Sequence, residues 1–120
     1  MTPTLGSLIL YTRKIDAMAA FYVDHFGYSR HDLPDDRIVE LRPKDKGTIL
    51  LLHPAAKGAR QGQAAVKLVF TVADVPAFCD ASAAKGLVFG SLHHADGYVF
   101  ANAKDPSGNS VSVSGRLANG

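Results

Sequence analysis

Tryptophan is absent from this chain of 120 residues, cysteine occurs once, and aromatic residues make up only 8%. The single thiol, Cys79, excludes an internal disulfide and suits a reducing compartment. No apolar run approaches the roughly 20 residues that cross a bilayer. Met1-Thr2-Pro3-Thr4 has neither the charged nor the apolar region of a signal peptide, so the expectation is a cytoplasmic protein that does not enter a membrane. Charge of one sign is also missing: 13 basic and 11 acidic residues leave +2, and the basic ones are scattered. That pattern lacks the basic stripe of a nucleic-acid interface. Phosphate-cradling glycine loops and nucleophilic triads are not found either, because the glycines fall at caps and turns and Cys79 lies in an apolar helical stripe.

What is present is ordinary globular composition, 47% hydrophobic and 20% charged, in a chain long enough to bury a core without disulfide or metal staples. Residues 5 to 12 read as a strand whose continuous apolar middle implies cover on both faces. Ile15, Met18, Ala19, Tyr22 and Phe26 then recur at three- and four-residue spacing, which predicts a helix over 15 to 26 closed by Gly27 in the left-handed conformation. Extended segments follow at about 28 to 33, 37 to 42 and 48 to 53, separated by Pro34-Asp35-Asp36 and by Pro43-Lys44-Asp45-Lys46-Gly47. Residues 54 to 63 are small and polar with two glycines, the composition of a mobile connection.

Beyond the connection the pattern begins again. Residues 66 to 72 form an apolar strand, Asp74 is an N-cap with Pro76 in the first turn, and Val75, Phe78, Cys79 and Ser82 give a helical stripe that ends at Gly86. Strands are expected at about 87 to 92, 98 to 103 and 109 to 114, the last fed by the turn Asp105-Pro106-Ser107-Gly108-Asn109. An offset of 60 residues places Leu8 on Leu68, Ile9 on Val69, Leu10 on Phe70, Ile15 on Val75, Ala17 on Ala77 and Met18 on Phe78 without a gap. The expectation is an α+β fold of two tandem βαβββ modules, about 5–53 and 64–116, within one domain. Neither module covers both faces of its own sheet, so the expected arrangement is a curved mixed sheet around a cleft with the helices outside.

The Phe21-Tyr22 pair followed by His25-Phe26-Gly27-Tyr28, together with Asp105-Pro106-Ser107-Gly108-Asn109, resembles the vicinal oxygen chelate superfamily. That family includes glyoxalase I, extradiol dioxygenases, metal-thiolate fosfomycin resistance enzymes and bleomycin-binding resistance proteins. One departure is Lys14, where members usually carry an Asp at the start of the first helix; Thr12 or Asp16 is expected to compensate. The resemblance implies four metal positions, one on each of four strands, held by His, Glu or Gln in the metal enzymes. Counting from the two signatures puts them at Ser7, Lys67 and Ser112, with the fourth near Leu51 and a register uncertainty of about two residues that admits His53.

A hydroxyl is a poor ligand unless deprotonated, an aliphatic side chain is none, and an ammonium repels the ion. The expectation is therefore a member with no metal and no cofactor. Strand parity places Ser7, Ile9 and Tyr11, Ile49, Leu51 and His53, Lys67, Val69 and Thr71, and Ser110, Ser112 and Ser114 on inward faces. Of these, Ser7, Tyr11, Leu51, His53, Lys67, Thr71, Ser110 and Ser112 are the pocket candidates. Lys67 needs an acid partner or awaits an anion, with Glu40 and Asp36 as possible partners, unless it begins its strand and reaches to water. His25 and His31 are expected at the surface, and His93-His94 in a loop where a metal site would need a third ligand.

Three functions remain open. The first is a metal-independent protein of the bleomycin-resistance type that binds a small organic molecule, anionic or aromatic, as a homodimer. The second is a glyoxalase-like lyase or isomerase with relocated groups, Lys67 as electrophile and His53 or Tyr11 as general acid or base. The third is a non-catalytic dimeric structural or regulatory module.

Overall fold

A computed structural model describes residues 2–118. The chain divides into two compact units, the first ending at Gln61 and the second beginning at Gly62. The first unit runs β1 (Ser7–Thr12), α1 (Ile15–Phe26), β2 (Ser29–Asp32), β3 (Val39–Arg42) and β4 (Ile49–Pro54). The second repeats the order as β5 (Lys67–Thr71), α2 (Val75–Ala84), β6 (His93–Ala95), β7 (Tyr98–Lys104) and β8 (Ser110–Ser114). Each unit is thus βαβββ, and the fold is α+β as the periodicity predicts.

In each unit the leading strand pairs parallel to the last strand, which sits between it and the two antiparallel strands. The orders are β1-β4-β3-β2 and β5-β8-β7-β6. One face of each sheet is packed. In the first, Val39, Leu41, Leu50 and Leu52 are buried, as are Met18, Ala19, Phe21 and Tyr22 of α1. In the second, Leu68, Ala101, Val111 and Val113 are buried, with Val75 and Ser82 of α2. The other face, the open one, carries the alternate residues, which are exposed or half-buried except for Ser112 and Ser114 of β8. The expected cover on both faces of the first strand is therefore corrected: Ile9 and Tyr11 are 46% and 59% exposed, because β1 is an edge strand with its helix on one side only.

The caps follow the local chemistry. Gly27 closes α1 at φ 73°, and its N–H donates back to the carbonyls of the last turn. Lys14 supplies no side-chain cap; the Thr12 hydroxyl instead accepts from the Lys14 N–H at 2.9 Å, and Asp16 lies in the first turn. Asp74 caps α2 by accepting from the Ala77 N–H at 3.0 Å.

The strand expected over residues 87 to 92 is not there. Leu87 and Phe89 are buried in the alternation that suggested it, but the segment is outside the ladder, with Gly90 donating to the Asn102 carbonyl, and the third strand of this unit is the short β6 at 93 to 95. The turn before β8 is built as its composition implies. Asp105, nearly buried, accepts from the N–H groups of Ser107 and Asn109 through one oxygen and from the Asn109 amide through the other. Gly62, at φ 71°, lies so close to this turn that a Cβ would stand 2.9 Å from the Gly108 carbonyl oxygen. No helix among the described residues is long and apolar enough to cross a membrane.

Candidate functional site

The open faces carry every residue that the sequence places inward. In the first unit, parallel pairing sets Ser7 beside Ile49, Ile9 beside Leu51 and Tyr11 beside His53, and Leu51 in turn neighbours Glu40 of β3. Paired residues share a face, so Ser7, Tyr11, Leu51 and His53 stand on one surface, Ser7 and Tyr11 exposed and the other two half-buried. Glu40 is held by Arg42, whose Nε donates to it at 3.1 Å, and Asp36 accepts from the Ile38 N–H. Those are the two acids suggested as partners of Lys67, and both are engaged locally.

At the end of this face lies a cavity of about 400 Å³ bordered by Tyr11, Arg37, His53 and the Pro54-Ala55-Ala56 segment. The rings of Tyr11 and His53 are 5.1 Å apart. A carbonyl only accepts, so the 2.8 Å contact between His53 Nδ1 and the Pro54 oxygen fixes the proton on Nδ1 and leaves the Nε2 lone pair available in the neutral ring. Arg37 was not singled out in the sequence. It falls at the start of the extended segment expected over 37 to 42, but β3 begins only at Val39, so strand parity does not orient it.

In the second unit three rows cross the open face from β5 through β8 to β7. They are Lys67-Ser110-Lys104, Val69-Ser112-Asn102 and Thr71-Ser114-Phe100, with His93 of β6 beside Phe100. Lys67 reaches diagonally across the middle strand, where Nζ donates to Asn102 Oδ1 at 3.1 Å and stands 5.6 Å from the centroid of the Phe100 ring. From the other side Lys104 Nζ donates to the Ser110 hydroxyl at 2.9 Å. Beneath them Ser112 is 2% exposed and donates to the Ala101 carbonyl at 3.0 Å, so its hydroxyl is already committed. Thr71 is exposed and Ser110 half-buried. Lys104 was legible in principle: counting outward from the Asp105–Asn109 turn pairs it with Ser110.

The pairing also fixes the fourth position. Ser7 and Lys67 head the leading strands, their partners are Ile49 and Ser110, and the residues two further on are Leu51 and Ser112. Leu51 rather than His53 is thus the counterpart of Ser112. Ser7, Leu51, Lys67 and Ser112 offer two hydroxyls, an alkyl group and an ammonium, a donor set that does not suit a divalent cation. No group of three or more His, Cys, Asp and Glu side chains among the described residues is arranged to hold one.

The remaining histidines need two corrections. His25 is half-buried rather than at the surface, its ring 5.3 Å from that of Phe21 and its Nδ1 enclosed. His31, on β2, contacts the Ser29 hydroxyl at 3.0 Å. His93 and His94 belong to β6, not to a loop, so they point to opposite faces, and His93 stacks on Phe100 at 5.0 Å. Burial first, then the neighbouring Asp80, pushes the Cys79 thiol above its ordinary pKa, the opposite of what a nucleophile needs.

Comparison with known proteins agrees with this architecture. No curated protein matches the chain. Among solved structures, UcmS2 aligns with a TM-score of 0.79 at 19% identity, over 96% of this chain and 99% of its own. TnmS3, an antibiotic binding protein from Streptomyces sp. CB03234, aligns with a TM-score of 0.77 at 20% identity, over 93% and 94%. Lactoylglutathione lyase from Agrobacterium tumefaciens aligns with a TM-score of 0.73 at 23% identity, over 95% and 94%. At these identities the likeness is one of fold. The glyoxalase/bleomycin resistance protein/dioxygenase superfamily matches residues 4–113, nearly the whole chain, and the protein belongs to that superfamily.

Proposed function

We propose that this protein binds a small organic molecule on the open faces of its sheets without a divalent metal. The observation that carries the reading is the chemistry at the four metal positions of the family: Ser7, Leu51, Lys67 and Ser112 stand there on faces whose register is fixed by pairing. The faces themselves mix exposed apolar groups such as Ile9 and Val69 with a few polar ones, the usual make-up of a small-molecule surface. The antibiotic binding protein among its structural neighbours supports the same reading. A homodimer belongs to it, supported by apolar surface at Leu5, Val66 and Val88, which are 70%, 63% and 75% exposed. So does a cytoplasmic location, which the free Cys79 suits. Isothermal titration of a broad panel of aromatic and charged organic compounds, in the presence of a chelator, tests it. Saturable binding of at least one compound is expected, and failure of the whole panel contradicts the reading.

The pair of Tyr11 and His53 favours a second reading, a metal-free lyase or isomerase. His53 presents Nε2 as a proton acceptor beside the Tyr11 phenol and the Arg37 cation, at a cavity of about 400 Å³. Lactoylglutathione is a suitable probe. Turnover that survives chelation and is lost in His53→Gln supports this reading, and no turnover in the wild-type protein removes it.

A further inference from the structure

We propose that the open face of the second sheet takes a small aromatic carboxylate, its anionic end held by the Lys67 and Lys104 ammonium groups and its ring lying against Phe100 and His93. This rests on the small-molecule reading and names the class of ligand for that face. Lys67 and Lys104 occupy one row of the sheet, on either side of Ser110, so their Cα atoms are two strand spacings apart, about 10 Å. Both side chains bend over β8, the one strand between them, Lys67 to Asn102 and Lys104 to Ser110. Two like charges are thereby drawn over the same stretch of sheet, which is unfavourable unless something anionic joins them. Among the described residues no carboxylate supplies that charge: none of those sharing this face on β5, β6, β7 and β8 is Asp or Glu, and each ammonium donates to a neutral oxygen. Each keeps donors to spare, since an ammonium carries three.

The aromatic half of the proposal comes from the next rows. Phe100 and His93 are stacked at an interplanar angle of 20°, a two-ring stack beside the Lys67 charge that a ligand ring meets edge-on or extends as a third layer. Val69, 56% exposed, adds apolar surface on the middle row. A ligand with one charge and one flat ring satisfies both features; inorganic phosphate satisfies only the first.

The test is NMR titration of the 15N-labelled full chain with 2-naphthoate, its neutral counterpart 2-naphthamide, and inorganic phosphate. Naphthoate is expected to shift the amides of Lys67, Asn102, Lys104 and Ser112 saturably, with an affinity that falls as salt is raised. Naphthamide and phosphate are each expected to bind at least about tenfold more weakly, and Lys67→Met and Lys104→Met each to weaken naphthoate about tenfold. Both lysines are exposed, so the variants keep the wild-type spectrum elsewhere. Equal binding of naphthamide, shifts confined to another surface, or no saturable shift with naphthoate would each overturn the proposal. In any of those cases a compound from the calorimetric panel that still binds leaves the small-molecule reading standing, whereas failure of both sets removes the two together.

Discussion

Lys67 Nζ crosses the middle strand of its sheet to reach Asn102 Oδ1 at 3.1 Å, and the position from which it starts is the counterpart of Ser7 in the first unit. The same backbone site thus carries a hydroxyl in one module and an ammonium in the other. Because Lys67 is exposed, removing its charge should cost the fold little. Lys67→Met is expected to change unfolding free energy by less than about 0.5 kcal/mol in urea denaturation. A loss several times larger would show that the ammonium is structural and not poised for a ligand.

Asp105 is the opposite case. Its nearly buried carboxylate satisfies two backbone N–H groups and one side-chain amide within five residues. Asp105→Ala leaves those donors without their acceptor and is expected to destabilise the protein by about 3 kcal/mol, read from the urea midpoint. A change below about 1 kcal/mol would mean that water replaces the carboxylate freely.

Two glycines separate backbone strain from steric overlap. Gly58 and Gly62 both have positive φ, 83° and 71°, but only Gly62 has the Gly108 carbonyl oxygen 2.9 Å from where a Cβ would stand. Gly58→Ala should cost about 1 kcal/mol from conformation alone, and Gly62→Ala distinctly more. Equal costs in thermal or chemical melts would argue that the turn yields.

Burial raises the Tyr28 phenol above its ordinary pKa of 10.0, and its hydroxyl donates to the Thr48 carbonyl at 2.9 Å. The fold therefore favours the protonated form. Its contribution is fully present below pH 10.0 and is lost as pH rises through the higher folded value. Stability should fall in alkali above pH 10.0, and Tyr28→Phe should remove part of that fall while costing about 1 kcal/mol at neutral pH through the lost hydrogen bond. Urea midpoints of both proteins from neutral pH into alkali measure this.

Much of this architecture is legible in the sequence, for identifiable reasons. The helix from Ile15 to Phe26 shows because its buried positions recur with helical period and Gly27 ends it. The fold shows because the modules repeat at a constant offset through strand and helix, so one half checks the other. Residues 87 to 92 misled because Leu87 and Phe89 alternate as in a strand, and an extended loop that buries every second side chain gives the same alternation without a ladder. The site was less visible. Strand parity put Tyr11, His53 and Lys67 on inward faces, and pairing sets Lys104 beside Ser110 and Phe100 beside His93 and makes Leu51 the counterpart of Ser112. Arg37 was counted into the extended segment expected from 37 to 42, but it precedes β3, and strand parity does not orient a residue outside the ladder.

The central claim is binding without a metal, and the affinity of one organic ligand in chelator and in added Ni²⁺, Zn²⁺, Mn²⁺ or Fe²⁺ tests it most directly. The donor set of Ser7, Leu51, Lys67 and Ser112 predicts the same calorimetric affinity in every condition. Binding that appears only when one of these ions is restored, and vanishes again on chelation, would contradict it.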